Sequence, residues 1–286
     1  MTADGKISTF AGTDAEQGFD GDGSPALKAK LADPTSVVLD EFGNVYVVDS
    51  GNVRVRKVAR DGTISTIAGN GQEGFSGDGG KATNASFRHL RGLAIDSAGN
   101  LYVADSDNFL VRKIAVDGTV TSVAGDGHEG DSGDDGPATR AELKEPAGVA
   151  IDLSGNLYIG DNGACRIRKV SPDGRISTIA GDGENRFTGD SGPAKAASLC
   201  PGALAVDRKG NLYFIDVSSL RVRKIAPDGT ITTVAGTGSA GASGDGGPAS
   251  SARLNVDVDS GLTVDSAGNL YIADSNTNLV RKVFAP

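Results

Sequence analysis

A fivefold internal repeat constrains this chain more than any other feature. The tetrapeptide Gly-Asn-Leu-Tyr, with Val for Leu in the first copy, occurs at 43–46, 99–102, 155–158, 210–213 and 268–271. Its asparagines, Asn44, Asn100, Asn156, Asn211 and Asn269, follow one another at steps of 56, 56, 55 and 58 residues. A fixed period of this size marks a repeat architecture, in which each unit covers its apolar face only by stacking on the next. The 286 residues are therefore read as one domain of five units, although length alone would suggest two.

Each unit reads as four short strands. Strand a is an apolar run closed by Asp, as in residues 92–96, and a Ser-Ala-Gly-Asn turn suited to a tight hairpin follows. Strand b is Asn-Leu-Tyr-x-x-Asp, strand c carries Arg-Lys between aliphatic residues, and an Asp-Gly turn leads to a Thr/Ser-rich strand d. Alternate residues of such strands face opposite sides, so each sheet has two faces to cover. Short, evenly spaced strands of this kind predict an all-β propeller of five four-stranded blades. The blades are expected at approximately 33–69, 90–125, 146–181, 201–236 and 259–283, the last completed by residues 4–12. The set a-b-c occurs five times, but d follows it only four times. The missing d, Gly5-Lys6-Ile7-Ser8-Thr9-Phe10-Ala11, stands at the start of the chain. Pairing it with the last three strands would close the ring and remove two sheet edges.

Between d and the next a lies an insertion of about twenty residues with a Gly-Asp-Gly-Gly-Pro-Ala core, as at 244–249, followed by what resembles one helical turn. The expectation is that these insertions gather on one face, around one mouth of the central channel.

Composition excludes several classes. A formal net charge of −9 opposes binding nucleic acid through phosphate neutralisation. No apolar run approaches the ~18 residues of a membrane helix, and the first residues have no signal-peptide core. Cys165 and Cys200 are the only cysteines and make neither a disulfide framework nor a metal cluster. The abrupt ends inside a repeat suggest a domain excised from a longer, exported or cell-surface protein.

Fivefold equivalence separates frame from function. Tyr46, Tyr102, Tyr158, Tyr213 and Tyr271 are all the tyrosines of the chain and hold one strand-b position. They read as packing between blades, with the hydroxyl tied to a neighbour. Arg56, Arg112, Arg168, Arg223 and Arg281 recur on strand c, and their expected partners are the strand-b carboxylates Asp49, Asp105, Asp161, Asp216 and Asp274. The insertion carboxylates Asp22, Asp78, Asp134, Asp190 and Asp245 have two readings: turn caps, or oxygen ligands for Ca²⁺. The spacing is not that of an EF-hand. Phe19, Phe75 and Phe187 recur in the insertions, where Asp131 and Ala242 replace them in the other two copies. They either anchor the loop or offer apolar contact. Informative differences fall just before strand a, where aligned or nearly aligned positions carry Asp33, His89, Glu145, Cys200 and Asp257. This is the candidate ligand-binding ring at the channel mouth.

The elements Pro146-Ala147-Gly148-Val149-Ala150-Ile151-Asp152, Gly-Asn-Leu-Tyr-x-x-Asp and Val-Arg-Lys resemble the NHL-repeat family of β-propellers along nearly the whole chain. The Gly-Asp-Gly-Gly-Pro-Ala insertion resembles the long-loop NHL repeats of bacterial surface or secreted proteins and of teneurins. The chain departs from that family twice. It counts five blades where six are usual, and its fifth repeat replaces the Pro-x-Gly entry by Leu254-Asn255-Val256-Asp257-Val258-Asp259. A zinc site like that of amidating lyases of this fold needs about three histidines, and the chain has two, His89 and His128. No Gly-x-Ser-x-Gly elbow sits between a strand and a helix. The resulting expectation is a monomeric, non-enzymatic binding or scaffold propeller. It would engage a protein, peptide or glycan through its long-loop face and mouth, without nucleic acid, membrane or cofactor. The alternative is a lactonase- or lyase-like enzyme with Ca²⁺ held by mouth carboxylates.

Overall fold

The computed structural model describes residues 8–13 and 17–285 and is an all-β, five-bladed propeller. Blade 1 comprises β1 (Pro34–Leu39), β2 (Val45–Asp49), β3 (Arg54–Val58) and β4 (Ile64–Ala68). Blade 2 comprises β5 (Leu90–Ile95), β6 (Leu101–Asp105), β7 (Leu110–Ile114) and β8 (Val120–Ala124). Blade 3 holds β9 (Pro146–Ile151), β10 (Leu157–Asp161), β11 (Arg166–Val170) and β12 (Ile176–Ala180). Blade 4 holds β13 (Pro201–Val206), β14 (Leu212–Asp216), β15 (Arg221–Ile225) and β16 (Ile231–Ala235). Blade 5 has β17 (Leu262–Val264), β18 (Leu270–Asp274) and β19 (Leu279–Val283). Every sheet is an antiparallel meander in chain order.

The a–b turn is built around the Asp that ends strand a. In blade 2, Asp96 Oδ1 accepts the N–H groups of Ala98 and Asn100, at 2.9 and 2.8 Å. Asp96 Oδ2 accepts Asn100 Nδ2 at 2.8 Å and the Tyr102 hydroxyl at 3.2 Å. Gly99 takes φ +87°, a left-handed value that a side chain would strain. The same Asp–Tyr bond recurs at Tyr46, Tyr158, Tyr213 and Tyr271. The repeated tyrosine thus ties strand b to the turn that precedes it, while its ring packs at the blade boundary.

The innermost strands β1, β5, β9, β13 and β17 line a central channel of about 930 Å³. Neighbouring innermost strands approach closely where glycine stands: a Cβ on Gly148 would lie 2.3 Å from the Gly202 carbonyl oxygen. Apolar clusters fill the boundaries between blades 1 and 2, 2 and 3, 3 and 4, and 4 and 5. Phe87, Leu90 and Val103 of one side meet Val48 and Val55 of the other at the first of these.

The insertions do not crowd the mouth as the sequence suggested. Each runs along the outer rim as a strap from one blade to the next. Gly69, which ends β4, donates its N–H to Ala82 O at 2.9 Å, and Ala82 N donates to Gly118 O at 2.8 Å in blade 2. Gly79 N and Val120 O, and Val120 N and Gly80 O, then pair the strap with β8 at 2.8 and 3.0 Å. The same pattern recurs with Gly125–Ala138–Gly174 and Gly181–Ala194–Gly229. The physical reason is the outermost strand: its free N–H and C=O groups need partners, and the Gly-rich core supplies them. The expected helical turn is one short 3-10 turn, Ala82–Asn84 in the second copy.

The junction of blades 5 and 1 differs. Residues 4–7 of the expected closing strand, 4–12, lie outside the described residues. Ser8–Gly12 is not part of a sheet, and among the described residues the fifth sheet has three strands. Gly12 N nevertheless donates to Ala26 O at 2.9 Å, the bond that ends strand d in the other copies. No apolar cluster among the described residues joins β17–β19 to blade 1. Val45, Val47, Val58 and Ile64 form a cluster in blade 1 and its strap, with Ala11 of the N-terminal segment packed against it. Val280 is 74% exposed and Leu39 62%, whereas Val111, the counterpart of Val280 in blade 2, is 0% exposed. The step of 58 also has its cause here. Blade 5 carries two extra residues before strand a, β17 is short, and Asp257 is displaced from the position shared by Asp33, His89, Glu145 and Cys200.

Truncating the two equivalent valines should separate a buried position from an exposed one. Val111→Ala is expected to cost about 2 kcal/mol and Val280→Ala less than about 0.5 kcal/mol in urea unfolding.

Candidate functional site

The invariant charges form one buried unit per blade. Arg112, on the third strand, is fully buried. Its Nη1 bonds Asp105 Oδ2 at 3.3 Å, while its Nη2 bonds Asp78 Oδ1 at 2.5 Å and the Ser76 carbonyl at 3.1 Å. Asp78 Oδ2 also accepts the N–H of Ser122 at 3.0 Å. One guanidinium therefore joins strand b, strand c and the strap. Arg56 joins Asp49 and Asp22 at 3.2 and 2.7 Å, and Arg223 joins Asp216 and Asp190 at 3.2 and 2.8 Å. Arg281 pairs with Asp245 at 2.6 Å and Asp274 at 3.7 Å, and Arg168 with Asp134 at 2.8 Å. The insertion carboxylates are thus the Arg partners, and the turn-cap reading alone understated them. Among the described residues no group of three or more His, Cys, Asp or Glu gathers as a metal site would require.

The strap aromatics belong to the same assembly. Phe19 lies under Arg54 at 3.6 Å, and Phe187 under Arg221 at 3.9 Å from the ring centre. In blade 3 the strap residue is Asp131, and it forms an ion pair with Arg166, the counterpart of Arg54 and Arg221. Blade 2 has Leu110 there, and Phe75 stacks on Arg112 instead, at 4.9 Å. The exchange of Phe for Asp against one cation shows that these positions anchor the strap.

The ring at the mouth is where equivalence fails. Asp33, His89, Glu145 and Cys200 each stand immediately before the innermost strand of their blade. Each has a different partner. Asp33 Oδ1 accepts from Gln17 Nε2 at 3.0 Å, and His89 Nδ1 lies 3.3 Å from Asp107 Oδ1. Glu145 Oε1 pairs with Arg91 Nη2 at 3.0 Å. Cys200 is buried and its N–H donates to Asp216 Oδ1 at 3.1 Å. Asp257 holds the extra loop of blade 5, accepting from Ser260 Oγ at 3.1 Å, Ser275 Oγ at 3.0 Å and Asn276 Nδ2 at 2.9 Å. The structure does not bring these five side chains into contact with one another.

Arg91 escaped the sequence reading. It lies on β5 in the channel wall, and its Nε and Nη1 are buried without a protein hydrogen-bond partner. Its counterparts are Thr35, Ala147 and Gly202, so the one signal available was a lone basic residue in an otherwise small or apolar strand-a position. A guanidinium with unused donors favours an acceptor group, such as a carboxylate or carbonyl oxygen.

The frame also sets the ionisation of its own groups. Burial, then the Asp96 carboxylate, pushes the Tyr102 hydroxyl up to about 12. Burial and the Asp40 bond do the same for Tyr46. Burial raises Asp105 and Asp161 to about 6, against the lowering effect of the adjacent arginines.

A model of the Teneurin NHL domain matches residues 10–76, 70–129 and 126–188. Teneurin-4 of Homo sapiens is 34% identical over 234 residues, which cover 72% of this chain. The aligned stretch is 8% of Teneurin-4, so the chain spans a small part of the curated relatives it matches. Among solved structures, a chain of a nidogen/laminin complex superposes with a TM-score of 0.60 at 18% identity, covering 88% of this chain and 75% of that one. A streptogramin B lyase superposes with a TM-score of 0.53 at 10% identity, covering 91% and 71%. At these identities the superpositions establish shared fold alone.

Two measurements check the frame. Arg112→Met should cost about 3–5 kcal/mol in urea unfolding, because Asp105 is left buried without its cation, and Asp78→Ala about 1–2 kcal/mol. In alkaline titration Tyr46 and Tyr102 should stay largely protonated at pH 10, where free tyrosine is half ionised. Since the folded values lie above the unfolded one, stabilisation is complete below about pH 10 and is lost as pH rises to about 12.

Proposed function

The chain belongs to the teneurin NHL-domain family of β-propellers, and we propose that it is a non-enzymatic binding module whose channel mouth engages a protein, peptide or glycan ligand. The observation that carries this reading is the division of the polar residues into two sets. The fivefold set, Tyr, Arg and the two carboxylates per blade, is engaged with itself. The unlike set, Asp33, His89 and Glu145 with Arg91 behind it, borders the mouth. A binding surface needs side chains of varied chemistry held on a rigid scaffold, and this ring has that form.

The family supports the same reading. Teneurin-4 is among its relatives, and one structural neighbour is a chain of the nidogen/laminin complex, an assembly of proteins. The partner class we favour is one presenting hydrogen-bond acceptors to Arg91 and donors or cations to Asp33 and Glu145. No cofactor is part of the proposal.

A displayed peptide library and a glycan array, each probed with the chain, test it. Ligands selected on the parent chain should lose at least about tenfold in affinity on the Asp33→Lys/Glu145→Lys variant, as expected when one charged partner becomes a repulsive one. They should bind unchanged to Asp61→Lys/Asp117→Lys, whose substitutions lie in the c–d turns at the other end of the sheets. Retention of every selected ligand by the mouth variant, or turnover of a lactone or ester by the parent chain, would overturn the proposal.

A further inference from the structure

We propose that Cys165 and Cys200 are a disulfide-forming pair, a modification site at which a low-molecular-weight disulfide such as oxidised glutathione links blade 3 covalently to blade 4. They are the chain's only two cysteines and stand 35 residues apart in different repeats. In the other blades, the position of Cys165 is held by Val53, Phe109, Leu220 and Asn278, and that of Cys200 by Asp33, His89 and Glu145. Repeat symmetry therefore requires a thiol at neither place, yet the fold puts both at one boundary.

The local geometry converges on Asn162. Cys165 closes the b–c connection of blade 3, and its N–H donates to Asn162 O at 3.0 Å. Cys200 precedes β13 of blade 4, and its Sγ donates to the same carbonyl at 3.5 Å. Asn162 Nδ2 in turn donates to Cys200 Sγ at 3.3 Å and to Pro201 O at 3.2 Å. This is the place where Ser50 and Ser106 latch other blades together, through bonds to Leu90 O and Pro146 O at 2.7 and 2.9 Å. Blade 3 has replaced the serine latch by an asparagine flanked by two thiols. Both cysteines are free and buried.

The two cysteines meet at one carbonyl, Cys165 through its N–H and Cys200 through its Sγ. The neighbouring Cys200 lowers the pKa of Cys165, while Cys165 and burial raise that of Cys200. Such a pair has an attacking thiolate beside a resolving thiol. The Cys165 thiolate attacks one sulfur of oxidised glutathione and expels a glutathione thiolate, forming a mixed disulfide. Cys200 then attacks the Cys165 sulfur and expels the second glutathione. Two protein thiols and one oxidised glutathione give one protein disulfide and two reduced glutathiones, and the two protons end on the leaving thiolates. The bond would fix the b–c connection of blade 3 to the entry of β13, at the edge of the mouth.

The test uses the reduced full chain incubated with oxidised glutathione at pH 8, then denatured and alkylated. Both thiols should be lost together, with a mass decrease of about 2 Da. Trypsin should release the peptide 145–166 joined to 196–208. The oxidised chain should melt roughly 5 °C or more above the reduced one. Cys165→Leu, which installs the residue of blade 4 at this place, should show no oxidant-dependent shift. Two thiols still titratable after denaturation, or one glutathione retained on each cysteine, would overturn the proposal.

Discussion

The structure depends on the burial of one arginine per blade between two carboxylates. A guanidinium removed from water is tolerated only when its donors meet charged or carbonyl acceptors in good geometry. Arg112 meets Asp105 from its own hairpin, Asp78 from the strap, and the Ser76 carbonyl. Because these acceptors come from separate segments, both terminal nitrogens of the cation find partners only when the segments are correctly placed. The blade, its outer edge and its link to the preceding blade are thereby one cooperative unit. The apolar boundary supplies most of the burial, and the charged unit specifies where the strap lies.

The strap answers a general problem of propellers. The outermost strand of a four-stranded blade would otherwise present an open row of N–H and C=O groups. Here residues such as Gly79 and Gly80 pair with that row, and the following 3-10 turn passes the chain back toward the channel. Phe19, Phe187 and Asp131 then clamp the strap to a neighbouring arginine by stacking or by charge. This regular rim contrasts with the residues just before the innermost strands, where the repeats differ.

Much of the frame was legible because it rests on short-range rules. Each blade's hairpins follow from alternation and from Asp-x-x-Gly-Asn and Asp-Gly turns, whose residues lie within a few positions of one another. The Tyr–Asp bond spans six residues and the strand-b Asp–Arg pair seven, so a reader of one repeat can find both. The pairing of Arg112 with Asp78 spans 34, and the sequence offered only a carboxylate in a glycine-rich loop. Arg91 and Glu145, 54 residues apart, were not visible as a pair, because only the angle between blades 2 and 3 brings them within 3.0 Å.

The amino-acid sequence by itself determined the number of repeats, the order of strands, the turns that join them and the separation of shared from unlike positions. Each of these is set by periodicity and by local backbone preference, which repeat along the chain. Only the tertiary structure decided that the insertions run along the rim and that Asp257 serves its own loop. It also brought Cys165 and Cys200 to the same Asn162 carbonyl and left β17–β19 and blade 1 without a shared apolar cluster among the described residues. Those outcomes depend on how successive sheets twist and stack, a long-range property that no single repeat encodes.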